Sequence, residues 1–115
     1  MSGEIPGRQI KISTGYERRI SIVYQGWTYS VFYEETINAL TDDDITKARK
    51  NLRLRAMGAV YRDILDDIPR LIQLVETSVA TDLRMATQER SKLQGLKSEA
   101  EDGLEEVRKR LSESQ

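Results

Sequence analysis

From Arg70 to Ser112 the chain runs for 43 residues without a proline. As one helix this stretch would measure about 65 Å, more than a single small domain can cover. It also carries a strict seven-residue apolar spacing at Leu65, Ile72, Val79, Ala86, Leu93, Ala100 and Val107. Leu83, Leu104 and Leu111 fall at the complementary position, but so do Glu76, Arg90 and Lys97, which makes an imperfect coiled coil. The expectation is a homodimer through Ile72, Val79, Leu83, Leu93, Leu104, Val107 and Leu111. The competing expectation is a helix that folds back on itself within one chain. Val75, Thr77, Val79 and Thr81 are weak helix formers and mark where it would bend.

The front of the chain follows a different period. Six of the seven aromatics (Tyr16, Tyr24, Trp27, Tyr29, Phe32 and Tyr33) fall within 18 consecutive residues. Ile10 and Ile12 alternate with Lys11 and Ser13, which reads as a short strand ended by Thr14-Gly15. Strands from about Arg18 to Tyr24 and from Trp27 to about Glu35 flank Gln25-Gly26, with glycine where a tight turn wants positive φ. That register sets Tyr24 against Trp27, Ile22 against Tyr29 and Val23 against Thr28. One face is then almost wholly apolar and the other polar, as a half-buried hairpin requires.

After Asn38 the pattern is helical. Thr41 supplies an N-cap, followed by Asp42, Asp43 and Asp44 in the first turn. Asp66-Asp67-Ile68-Pro69 reads as a break, because two aspartates oppose the dipole at a helix end but cap a helix that starts at a proline. The expected fold class is α+β: a short N-terminal antiparallel sheet, made of a hairpin plus one strand, followed by two helices. The second helix is long and coiled-coil-like. Residues 1–8 form a flexible arm, 9–66 the hairpin and basic helix, and 67–115 the long dimerising helix.

Composition narrows the chemistry. The chain has no Cys and no His, so thiol nucleophiles, imidazole bases, zinc fingers and disulfides are excluded. The carboxylates Asp63, Asp66, Asp67, Glu34 and Glu35 have no specific spacing, and capping accounts for the aspartates. No phosphate-binding glycine loop is present. The expectation is a non-enzyme with no cofactor and no metal. Its longest apolar run, Ala56 to Tyr61, is far short of a membrane span, so a cytoplasmic protein with no membrane role is expected.

Two surfaces remain as candidates for binding. Eighteen basic and 19 acidic residues nearly cancel, which excludes polyanion binding by bulk charge. The charge is nonetheless uneven: residues 1–62 hold ten Lys/Arg and seven Asp/Glu, a net of +3, and 63–115 hold eight and twelve, a net of −4. The basic front includes Arg49, Lys50 and Arg53, one stripe of a helix. With the hairpin aromatics it suggests a surface that stacks and neutralises single-stranded nucleic acid. Its residues would be Arg8, Lys11, Arg18, Arg19, Phe32, Tyr33, Arg49, Lys50, Arg53 and Arg55. The alternative is a protein-interaction module, such as an adaptor, assembly factor or phage-type inhibitor. In that case the aromatics are core and the stripe meets an acidic partner protein.

Overall fold

In a computed structural model, residues 7–79 and 81–113 are described. Strand β1 (Arg8–Ile22) and strand β2 (Gln25–Ala39) form one antiparallel hairpin. Helix α1 (Asp42–Ser78) and helix α2 (Leu83–Glu113) follow. The α+β class holds: an antiparallel sheet, then two helices, the second long. Of the expected arm, residues 1–6 lie outside the described residues, whereas Arg8 already pairs with Ala39 in the sheet.

The hairpin is longer than expected and differently registered. Thr14 and Gly15 do not end a strand, so the separate first strand and the first hairpin strand are continuous. The turn is Val23-Tyr24 rather than Gln25-Gly26, which sets Ile22 against Gln25, Ile20 against Trp27 and Arg18 against Tyr29. Both turn residues have positive φ, 51° at Val23 and 64° at Tyr24. Such a backbone costs about 1–3 kcal/mol at a non-glycine residue. The observed register offsets that cost by pairing all 15 residues of each strand, from Arg8–Ala39 to Ile22–Gln25. The Val23 N–H also donates to Glu89 Oε2 on α2 at 3.3 Å. Because the shift is even, the strand residues keep their expected facing, but the turn residues do not: Val23, expected on the outer face, packs against the core, and Tyr24, expected on the inner face, is exposed. Ile12 and Ile22 are buried, and Tyr16, Ile20, Trp27, Tyr29 and Val31 pack against the core.

Helix α1 starts as its sequence dictates. Thr41 Oγ1 accepts from the Asp44 N–H at 3.2 Å, and Asp44 Oδ2 accepts from the Leu40 and Thr41 N–H groups at 2.9 and 3.0 Å. Its expected end at 66–69 does not occur: the helix runs through Pro69 to Ser78. A proline inside a helix costs roughly 3 kcal/mol. Burial of Ile64, Ile68, Leu71 and Val75 on either side opposes the break. Asp67, expected as a cap, instead binds Tyr29 and Arg70. The chain reverses over Val79–Asp82, in the β-branched stretch. The Asp82 N–H donates to Val79 O at 3.0 Å, and Asp82 Oδ1 caps α2 by accepting from the Met85 N–H at 3.0 Å.

The two helices therefore form a hairpin within one chain, and the sheet lies along it. Burial on α2 falls at Ala86, Glu89, Leu93, Leu96, Ala100, Leu104 and Val107. The partners of Ala86 and Leu93 are thus Glu89 and Leu96, three residues on, whereas that of Ala100 is Leu104, four residues on. Arg90 and Lys97, four residues after Ala86 and Leu93, are exposed. Small residues allow the close approach. A Cβ on Gly103 would lie 2.3 Å from Cε2 of Tyr61, and one on Gly58 would lie 3.2 Å from Cγ1 of Val107. The result is an elongated body of 76 × 23 × 18 Å.

The close approach at Gly103 makes a direct prediction. An exposed helical Gly→Ala change gains roughly 1 kcal/mol. Gly103→Ala should instead lose about 1–3 kcal/mol by overpacking, measured by urea unfolding. Adding Tyr61→Leu should make the two losses clearly less than additive. Additive losses would mean that the Tyr61 ring does not fill the Gly103 gap.

Candidate interaction surfaces

Three of the six hairpin aromatics, Tyr16, Trp27 and Tyr29, pack against the core. The hydroxyls of Tyr16 and Tyr61 are hydrogen-bonded at 2.9 Å, with ring centroids 5.7 Å apart and planes tilted by 59°. Tyr29 donates to Asp67 Oδ2 at 2.7 Å, and Arg70 Nη2 donates to the same oxygen at 2.7 Å. The Arg70 guanidinium also lies 5.2 Å from the Trp27 ring centroid, within reach of a cation–π attraction. The Trp27 indole N–H is buried without a hydrogen-bond partner among the described residues.

These interactions shift the groups that make them. Burial and then the bond to Asp67 push the Tyr29 phenol well above its ordinary value. Burial and then Tyr16 do the same to Tyr61. The Asp67 carboxyl is held low by Arg70 first and Tyr29 second. Arg70 and Asp67 act as a clamp that fixes the β2 aromatics over α1. None of these rings offers a free stacking face.

The ten residues expected to form one basic and aromatic surface are not brought together as one. Five of the eight cations have an acidic partner: Arg8 with Asp42 at 3.8 Å, Lys11 with Glu34 at 3.4 Å, Arg18 with Glu99 at 2.8 Å, Arg19 with Glu17 at 3.3 Å, and Arg55 with Glu35. Arg49, Lys50 and Arg53 are exposed on α1 and have no ion pair among the described residues. The acids nearest in sequence are already engaged, since Asp43 holds Lys47 and Asp44 caps the helix. Phe32 is 68% exposed on the outer sheet face opposite Gly15, whereas Tyr33 is on the helix-facing side and 38% exposed. Tyr24 at the turn is 90% exposed.

Of the residues expected to pair two chains, Val79, Leu93, Leu104 and Val107 are buried by the chain's own fold. Ile72 and Leu83 are exposed, and Leu111 is half-buried. The residues that sequence patterning overlooked are those tying the sheet to α2. Arg18 Nε and Nη2 donate to the two oxygens of Glu99 at 2.8 and 2.9 Å, a two-point pairing across 81 residues. Glu89, 5% exposed, accepts from the Val23 N–H and from Lys92 Nζ, the latter at 3.0 Å. Its place three residues after Ala86 in the apolar spacing was the available signal.

Among the described residues no helix is long and apolar enough to cross a membrane, and no group of three or more Asp or Glu side chains is placed to hold a metal ion.

The paired carboxylates predict a pH dependence with a definite sign. Arg18 holds the Glu99 carboxyl below its ordinary value, and Arg70 does so for Asp67. Each folded value lies below the unfolded one. The stability they add is therefore complete above roughly pH 4–5 and is lost as pH falls through the folded values. Glu99→Gln should flatten unfolding free energy against pH below about 5, measured by urea titrations at a series of pH values. Superimposable profiles for the variant and the native chain would deny the Arg18–Glu99 pair any role in solution. The chain matches no family model, no curated protein and no solved structure with which it was compared.

Proposed function

We propose that the chain is a non-catalytic protein-interaction module acting as a single folded rod. One observation carries this reading. Tyr16, Trp27 and Tyr29 pack against the core, while among the described residues both 15-residue strands of the sheet keep an outer edge that no other strand covers. An open strand edge is a ready template for a partner's backbone. The rod is monomeric in this reading, because α1 covers the apolar spacing of α2. A cytoplasmic setting belongs to it as well, since a chain without cysteine has no disulfide to gain from an oxidising compartment.

Single-stranded nucleic acid is the second reading. It is favoured by the three cations Arg49, Lys50 and Arg53, which lack acidic partners among the described residues. Phe32 and Tyr33, on opposite faces of β2, would supply the remaining aromatic surface.

Photo-crosslinking separates the two. Benzoylphenylalanine placed at Ser21, Phe32 or Arg53 in cells that make the protein should give adducts that resist nuclease and disappear on proteolysis of the partner. Adducts of twice the chain's mass would replace the monomeric rod with a homodimer. Nuclease-sensitive adducts at Phe32 or Arg53 would overturn the protein-interaction reading. So would binding of labelled single strands at about 50 mM salt that weakens steeply by about 200 mM. Changing Arg49, Lys50 and Arg53 to Ala would in that case make the salt dependence shallower by roughly 0.7 for each phosphate no longer neutralised.

A further inference from the structure

We infer that the groove between the free edge of β1 and helix α2 takes an extended, acidic peptide segment of a partner protein, added to β1 as a third strand. The inference rests on the interaction-module reading and names its docking site.

The edge itself is the first support. A two-residue turn with positive φ at both positions makes Ile22 and Gln25 the closing hydrogen-bonded pair. Even-numbered residues of β1 then bond across to β2, and the N–H and C=O groups of odd-numbered ones point to the outer edge. Near the turn α2 and its salt bridge already engage two of these groups. Glu89 accepts from the Val23 N–H, and Arg18 Nη1 donates to the Arg19 carbonyl. The N–H and C=O of Ser21 and the N–H of Arg19 have no partner among the described residues. An added strand supplies the missing acceptor and donor at this spacing.

The opposite wall is the second support. Between β1 and α2 lies an open groove of about 470 Å³ with Ile22 and Leu96 at its base. That is within the range of about 300–1,000 Å³ typical of ligand sites. Gly95 forms part of its wall inside α2, where glycine is less favourable than alanine. Internal packing does not require it: a Cβ there would meet nothing within 4 Å, in contrast to Gly103. A bare backbone at Gly95 leaves room for a second main chain to approach. The stretch from Arg19 to Ile22 matches roughly four residues of extended peptide.

Charge selects the occupant. Arg18, Arg19 and Lys92 line the groove, and each has one acidic partner. Arg18 and Lys92 are held by Glu99 and Glu89. Arg19, with its side chain 78% exposed, has only a surface pairing with Glu17, so it is the cation free to turn toward an acidic side chain on the incoming strand.

The test uses the whole chain labelled with ¹⁵N and the blocked peptide acetyl-Val-Glu-Val-Asp-Val-amide. Amide shifts should concentrate at residues 19–22 and 92–99, and exchange of the Ser21 amide should slow at least tenfold at saturation. The lysine analogue of the peptide should bind at least tenfold more weakly, and a backbone N-methylated version should not bind. Gly95→Trp, which fills the groove, should abolish binding while circular dichroism and the unfolding midpoint stay native. Ser21→Pro should also abolish binding, because it removes only an outward-pointing N–H. Shifts on the outer sheet face or along β2, undiminished binding by both variants, or no shift at millimolar peptide would each overturn the site. Photo-crosslinks to protein from Phe32 or Arg53 with none from Ser21 would remove this groove and leave the interaction-module reading standing. Nuclease-sensitive crosslinks would remove both.

Discussion

Tyr61 stands where all three layers of the molecule meet, and the rest of the packing depends on it. It projects from α1, its hydroxyl is bonded to Tyr16 of β1, and its ring fills the gap that Gly103 leaves in α2. The ring is large, so at its level the helices approach closely because α2 has no side chain at Gly103. Its hydroxyl must find a partner once buried, so the sheet is anchored at one height along α1. From that anchor the strand spacing brings Arg18 within reach of Glu99 and the turn within reach of Glu89. One aromatic residue thus sets helix separation, sheet height and the register of the charged pairs.

Much of this was legible from residue patterns, and the exceptions have physical causes. Alternation of apolar and polar residues identified the inward face of the hairpin, because facing depends only on parity. It did not identify the turn, since Gly26 is the natural choice and a valine with positive φ is not. The gain that outweighed that local preference is a ladder extended to Arg8 and Ala39, which no four-residue window contains. At Pro69 the local signals for a helix break were sound but were overridden by burial on both sides. The reversal lies instead in the β-branched stretch that sequence marked as weak, and it converts an expected two-chain seam into an intramolecular one.

The candidate surface was less legible than the fold. Residue type located every cation, but not which of them an acidic neighbour would engage. Arg18 and Glu99 are 81 residues apart, and no local rule couples them. Conversely, among the described residues Arg49, Lys50 and Arg53 stand without acidic partners, since Asp43 and Asp44 serve Lys47 and the helix cap. Glu89 is the sharpest case. A buried carboxylate in an apolar seam is costly unless its oxygens are met. Here one meets the N–H of Val23 in the hairpin turn and the other a lysine, so the residue joins sheet to helix.

The antiparallel course of both hairpins gives the rod a polarity. Arg8 is paired with Ala39 beside the start of α1, and Val107 lies against Gly58, so the beginning of β1 and the end of α2 occupy the same half of the body. Both turns, Val23-Tyr24 and Val79–Asp82, lie toward the other half, where Val23 meets Glu89. Anything tethered through either end of the described chain is held at one pole. The exposed Tyr24 ring and the open stretch of β1 are then presented at the other.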